Sequence, residues 1–153
     1  MSNTKRLWHY TTGEKFEAIS REGTIKPAVE NVPTGEKPAV WFSFNQVWER
    51  TASKGIVVAG VRRTATMEEM NTLGGGLVRI AVALETAPHT WVRFRHLSGI
   101  NPSHAKALAL VAKSDGANPN DWRATFDAVP SALWTTIEKF DRGTWVRFSL
   151  FER

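Results

Sequence analysis

Short aromatic and β-branched segments, separated by clusters of turn residues, constrain the fold of this chain more than any other feature of its sequence. Segments of about four to eight such residues between Gly, Pro, Asn or Asp are typical of β-strands. We therefore predict strands at residues 7–10, 39–43, 55–61, 77–83, 91–95, 122–126, 134–140 and 145–151. The turn at residues 141–143 joins the last two.

Helical segments are short and lie between these strands. Residues 14–22 place Phe16 and Ile19 at helical spacing, with Thr12 as N-cap and Gly23 after the last turn. Further helices are predicted at residues 45–52, 67–73 and 102–112, and the glycines at 74–76 predict a flexible hinge. Strands and ten-residue helices do not alternate as in a doubly wound sheet. We therefore predict a single α+β domain over residues 1–153, with two packed, mostly antiparallel sheets.

Composition excludes several classes of protein. The chain has no cysteine, which rules out disulfides, thiolate metal sites and cysteine nucleophiles. Its four histidines do not stand at metal-ligand spacing, so no metal site is predicted. No apolar run approaches the roughly 20 residues of a membrane helix, and no hydrophobic leader region opens the chain, so we expect a cytoplasmic protein without a membrane partner. The net charge of +5 favours polyanionic partners such as nucleic acid.

His9 is the most unusual of the polar residues. It lies in the first aromatic strand, between Trp8 and Tyr10, and is followed by Thr11 and Thr12. A buried histidine needs a hydrogen-bond partner, so a satisfied core histidine is one interpretation of this residue. The functional interpretation comes from the order of the elements around it.

The strand with His9, the helix at 14–22 and the aromatic strand at 40–43 resemble the start of the ADP-ribosyltransferase superfamily, in its poly(ADP-ribose) polymerase-like branch. That branch opens with an aromatic-His-Gly-Ser/Thr strand, continues through a helix to a Gly-Ile-Tyr-Phe-Ala/Ser strand, and carries a Glu at a later strand. The resemblance covers residues 7–54 well and 119–140 loosely. His9 and Thr11 match the pattern, while Tyr10, Trp41 and Asp121 stand where the family has Gly, Tyr and Glu.

The resemblance implies an NAD-dependent ADP-ribosyltransferase with NAD as co-substrate. Such an enzyme cleaves the nicotinamide–ribose bond and transfers ADP-ribose to an acceptor, here a protein, a nucleic acid or a small molecule. The implied catalytic residues are His9, Trp41 and Asp121. His9 then contacts a ribose hydroxyl, Trp41 stacks on nicotinamide, and Asp121 accepts from the 2′-hydroxyl. The implied NAD-binding residues are His9, Tyr10, Thr11, Trp41 and Ser43.

Several residue assignments stay open at this point. Glu138 and Glu152 are rival acids, and Asp121 is also explained as a cap in a turn. Trp41 is also explained as a core aromatic, and Thr11 as a turn hydroxyl. Arg21 and Arg50 are either ligands of the NAD pyrophosphate or solvated helix residues.

Two other functions also stay open. The first is a catalytically inactive module on the same fold that binds a nucleotide, a nucleic acid or a protein. The second is nucleic-acid binding by a strand with Arg93, Phe94, Arg95 and His96, because alternating aromatic and basic residues stack on bases and contact phosphates.

Overall fold

A seven-stranded antiparallel sheet is the centre of the protein. The computed structural model describes residues 5–148. Within that range the strands are β1 (Leu7–Thr12), β2 (Thr24–Ile25), β3 (Val40–Ser43), β4 (Gly55–Val58), β5 (Val61–Thr64), β6 (Leu77–Val82), β7 (His89–Thr90), β8 (Trp122–Thr125), β9 (Val129–Pro130), β10 (Trp134–Asp141) and β11 (Thr144–Arg147). The helices are α1 (Gly13–Glu22), α2 (Met67–Leu73), α3 (Trp91–Leu97) and α4 (Pro102–Ser114).

Strand pairing confirms an α+β class with antiparallel sheets, but it divides the strands differently from the prediction. Seven strands join in the order β11-β10-β6-β1-β3-β8-β7, instead of splitting between two packed sheets. The remaining four form the two-stranded ladders β2–β9 and β4–β5. The large sheet is covered on its faces by helices and loops.

Both faces of the large sheet are buried. On the face that we call the α1 face, Leu7 and Ile80 pack with Phe16 of α1 in one apolar cluster. The opposite face, which we call the α3 face, carries Trp8 and Trp122, which pack in two further clusters with residues of α2, α3 and α4. Because side chains alternate along a strand, the odd-numbered residues of β1 lie on the α1 face and the even-numbered ones on the α3 face.

Residues 91–95 were predicted as a strand and are a helix. Their alternation of large apolar and basic residues fits a strand, but Trp91 and Phe94 also stand at helical i, i+3 spacing, and both are buried in one cluster. The Thr90 hydroxyl caps this helix by accepting from the backbone N–H of Arg93. Phe94 is therefore packed inside, which contradicts the base-stacking strand proposed for residues 93–96.

Two other segments differ from expectation. Residues 45–52 are mostly irregular, because the side chain of Asn45 accepts from two backbone N–H groups of its own loop, and only Arg50–Ala52 form a 3₁₀ turn. Residues 55–61 belong to a hairpin, because Ala59 and Gly60 have φ of 52° and 79° and reverse the chain. The predicted strand at 145–151 is observed as β11, and residues 149–151 lie outside the described part of the chain.

The three glycines at 74–76 form a packed turn instead of a flexible hinge. The carbonyl groups of Gly76 and Gly74 accept from the backbone N–H groups of Gly13 and Glu14, at 2.9 and 3.0 Å. A Cβ on Gly74 would lie 2.4 Å from Cγ2 of Thr12. The absence of side chains lets this turn approach the end of β1 and fix the point where α1 begins.

Candidate functional site

The seven-stranded sheet is split between two of its central strands. β1 pairs with β6 from Leu7 to Thr12, but it shares one register pair with β3, Trp8 with Ser43. Beyond that pair the two strands diverge, and a cavity of about 710 Å³ opens beside them. Pockets for small-molecule ligands usually measure roughly 300–1,000 Å³, so this one is large enough for a dinucleotide.

The cavity is lined by most of the residues that the sequence singled out. His9, Tyr10, Thr11, Trp41 and Ser43 all contribute to its wall. Asp121 is absent from that wall. The predicted convergence of three catalytic side chains therefore holds for His9 and Trp41 and fails for Asp121.

His9 bridges the split with its side chain. Its Nδ1 lies 2.8 Å from the carbonyl oxygen of Trp41, and its ring packs edge-on against Phe42 at 5.6 Å. A carbonyl oxygen only accepts, so Nδ1–H is the donor in a neutral imidazole, and Nε2 keeps its lone pair. Burial lowers the pKa of His9 below 6.5, with a smaller contribution from the charge of Lys15. His9 is thus a neutral hydrogen-bond acceptor at the cavity wall.

Trp41 is half-buried in an aromatic cluster on the α3 face. Its ring centroid lies 4.5 Å from that of Phe94, 6.0 Å from that of Trp91 and 6.2 Å from that of Trp122. These contacts fix the orientation of the indole ring. Trp41 is therefore both a packed aromatic residue and part of the cavity wall, which combines the two interpretations left open by the sequence.

Tyr10 and Ser43 have hydrogen bonds that limit what they can offer a ligand. The Tyr10 hydroxyl donates to the carbonyl oxygen of Asn45 at 2.5 Å, and burial raises its pKa to about 12. The Ser43 hydroxyl donates to Oε1 of Glu49 at 2.8 Å and accepts from the backbone N–H of Asn45. Both hydroxyl groups therefore hold the loop that follows β3.

Glu49 is a buried carboxylate in the cavity wall, and the sequence reasoning missed it. Its Oε2 accepts from the backbone N–H and the hydroxyl of Thr51, at 3.0 and 2.7 Å. Its Oε1 accepts from Ser43 and has room for a second donor, because each carboxylate oxygen has two lone pairs. The predicted helix at 45–52 would have placed this side chain by helical spacing, and the actual loop places it differently. An acid within an aromatic segment was the available signal.

Three successive backbone carbonyl groups, those of residues 45–47, fix the loop that carries Glu49. Each accepts from a side chain of a different strand, and the donors are Tyr10 of β1, Arg79 of β6 and Trp145 of β11. The position of Glu49 therefore depends on residues that are far away in sequence.

The other predicted acids have no place in the cavity. Asp121 is half-buried at the end of a 3₁₀ turn, where its backbone carbonyl accepts from the N–H of Phe44 at 2.9 Å. Glu138 is held by the guanidinium group of Arg79 at 2.5 Å. Glu152 lies outside the residues that the structure describes.

The cations of the cavity wall also differ from those that the sequence suggested. Lys15 and Lys26 line it, whereas Arg21 and Arg50 do not. Lys26 forms an exposed ion pair with Glu22 at 3.0 Å. Positive charge thus enters the cavity from α1 and from the segment after β2, the two elements that border the α1 face.

Searches for other kinds of site and for similar proteins were negative. Among residues 5–148, the His, Asp and Glu side chains form no group of three that could hold a metal ion, and no helix there has the length and apolar character to cross a membrane. Comparison with family models, with curated proteins and with solved structures found no match to this chain.

Proposed function

We propose that this chain is an NAD-dependent ADP-ribosyltransferase with an ADP-ribosyltransferase-like fold. The observation that carries the proposal is the cavity at the sheet split, where His9, Thr11 and Trp41 meet the buried carboxylate of Glu49. The order of the first elements supports the fold, since His9 and Trp41 lie in β1 and β3 with α1 between them. The acceptor is a protein, a nucleic acid or a small molecule.

The residues of the cavity fit the parts of NAD. Nε2 of the neutral His9 accepts from a ribose hydroxyl, and the Trp41 ring offers an apolar face to a planar base. Lys15 and Lys26 supply positive charge for the pyrophosphate. The cavity volume of about 710 Å³ accommodates a ligand of this size.

Glu49 takes the role that the sequence gave to Asp121. In the proposed reaction the bond between nicotinamide and C1′ of the ribose breaks, and its electron pair leaves with nicotinamide. The acceptor nucleophile then bonds to C1′ and releases a proton. Glu49 stabilises the positive charge that develops on the ribose, because its carboxylate is fixed in place before the reaction by Ser43 and Thr51.

Release of nicotinamide from NAD by the purified protein tests this function. The informative pair is Glu49→Gln and Asp121→Asn, which make the same chemical change inside and outside the cavity. Loss of a prealigned electrostatic group costs about 10²–10³ in rate, so we expect that loss for Glu49→Gln and nearly unchanged release for Asp121→Asn. Thermal unfolding checks that both variants are folded. Release that survives Glu49→Gln and disappears with Asp121→Asn would refute the role of Glu49, and no release by the unmodified chain would refute the activity.

A second candidate is a binding module that has lost catalysis. The position that corresponds to the family's acid, Asp121, does not line the cavity, and this favours it. Quenching of tryptophan fluorescence by NAD separates the two functions. Saturable quenching that His9→Ala or Trp41→Phe abolishes, without nicotinamide release, identifies the binding module.

A further inference from the structure

Trp122 has a buried indole N–H without a hydrogen-bond partner among the described residues. The residue is 7% exposed. The tryptophans at positions 8, 48, 134 and 145 each donate their N–H to an oxygen atom. A buried donor without an acceptor is costly, so this exception needs an explanation.

Trp122 lies where a ligand in the cavity would meet it. It lines the cavity and is in register with Ser43 across β3 and β8, so both side chains point to the α3 face. Its ring contacts those of Trp41 and Trp91 edge-on, with centroids 6.2 and 5.2 Å apart. We call these three tryptophans, together with Phe94, the aromatic end of the cavity.

An acceptor without a partner belongs to the same cavity. Oε1 of Glu36 is buried, lines the cavity wall and has no hydrogen-bond partner within the described chain. The loop with Glu36 contacts the segment after α3, since Lys37 donates its backbone N–H to the carbonyl oxygen of Ser98 at 2.7 Å. One unsatisfied donor and one unsatisfied acceptor match a primary carboxamide, which has a carbonyl oxygen and an NH₂ group.

We propose that the aromatic end of the cavity is a carboxamide subsite, and that Trp122 is a specificity-determining residue that donates to the carbonyl oxygen of nicotinamide. Glu36 accepts from the NH₂ group, and the ring packs against Trp41. The sequence suggested Ser43 for the amide, but the Ser43 hydroxyl already donates to Glu49. This inference rests on the proposed function, because it assigns the position of nicotinamide within the same cavity.

Binding of two matched ligands tests the donor. Nicotinamide carries the carboxamide, whereas 3-methylpyridine has a similar ring without it. Calorimetry measures both with the unmodified protein, with Trp122→Phe, with 3-benzothienylalanine at position 122, which keeps the bicyclic shape and lacks the N–H, and with the control Trp91→Phe. One hydrogen bond corresponds to roughly a tenfold change in affinity. We expect that loss for nicotinamide in both changes at position 122, with no loss for 3-methylpyridine and no change in preference for the control.

Stability without ligand gives a second, opposite readout. An indole whose N–H only supports the fold would lower the urea midpoint when the N–H is removed. An unsatisfied donor has the reverse effect, so the 3-benzothienylalanine protein should unfold at a higher urea concentration than the unmodified protein. A lower midpoint would overturn the inference.

The outcomes separate this inference from the proposed function. If the unmodified protein releases nicotinamide from NAD and 3-benzothienylalanine leaves nicotinamide affinity unchanged, the subsite is wrong and the transferase stands. If the unmodified protein binds neither NAD nor nicotinamide, both proposals fail. Equal loss of both ligands in Trp122→Phe, with full nicotinamide affinity in the isosteric protein, shows a packing role and also overturns the subsite.

Discussion

Arg79 is the residue whose loss we expect to cost most stability outside the apolar core. Its guanidinium group is buried and donates from Nε and Nη2 to Oε1 of Glu138, at 2.9 and 2.5 Å. Nη1 donates to the carbonyl oxygen of Gln46 at 2.6 Å. The same group lies 3.8 Å from the ring centroid of Trp8 and 4.5 Å from that of Trp145. Both aromatic faces thus attract the cation that the carboxylate also holds.

Replacing Arg79 leaves a carboxylate and a carbonyl group without their donor. Breaking a buried ion pair on one side costs about 3–5 kcal/mol, and Arg79→Met retains much of the aliphatic stem, so we expect a loss in that range. Urea unfolding, followed by tryptophan fluorescence, measures it. The double variant Arg79→Met/Glu138→Leu strands no charge, and its loss should be smaller than the sum of the two single losses. A loss below about 1 kcal/mol for Arg79→Met, or strictly additive losses, would refute the reasoning.

Two further predictions concern pH and packing. Burial lowers the pKa of His9 in the folded protein, so below the ordinary value of 6.5 the unfolded chain binds a proton more readily and stability falls as the pH falls towards the folded pKa; His9→Asn should flatten this slope, and urea midpoints at pH 7.5 and 5.5 would disagree with the idea if the slope persisted undiminished. Gly74→Ala should cost about 1–3 kcal/mol because its Cβ would lie 2.4 Å from Thr12, whereas in the control Gly55→Ala the nearest atom is on Arg62 at 3.8 Å; thermal unfolding compares the two, and equal losses would contradict the packed turn.

The strands that the sequence predicted well are those whose signal is local. β3, β6 and β10 are runs of β-branched and aromatic residues that end at Gly, Asn or Asp, and the structure has strands in all three places. α3 was mistaken because Trp91-Val92-Arg93-Phe94-Arg95 satisfies two periodicities at once. Burial of Trp91 and Phe94 on one side decides between them, and that information lies in the tertiary structure.

The candidate site was predictable on β1 and β3 and unpredictable elsewhere for a related reason. His9 and Trp41 stand in regular strands, whose positions follow from the local pattern. Glu49 stands in a loop that Tyr10, Arg79 and Trp145 hold through its carbonyl groups. Donors that are 33 and 98 residues away in sequence from their acceptors leave no mark in the segment itself.

The distribution of unsatisfied polar atoms separates structural from functional parts of this cavity. The loop with Glu49 is held by hydrogen bonds from three strands, as expected of a group that must stay fixed. Within the described chain, four buried side-chain atoms lack a partner, and two of them, on Glu36 and Trp122, belong to residues of the cavity wall. A fold gains nothing from leaving a donor and an acceptor unpaired in one cavity, because each costs free energy until something binds both. The unpaired atoms are therefore explained by a ligand, and the complementary pair they form points to an amide.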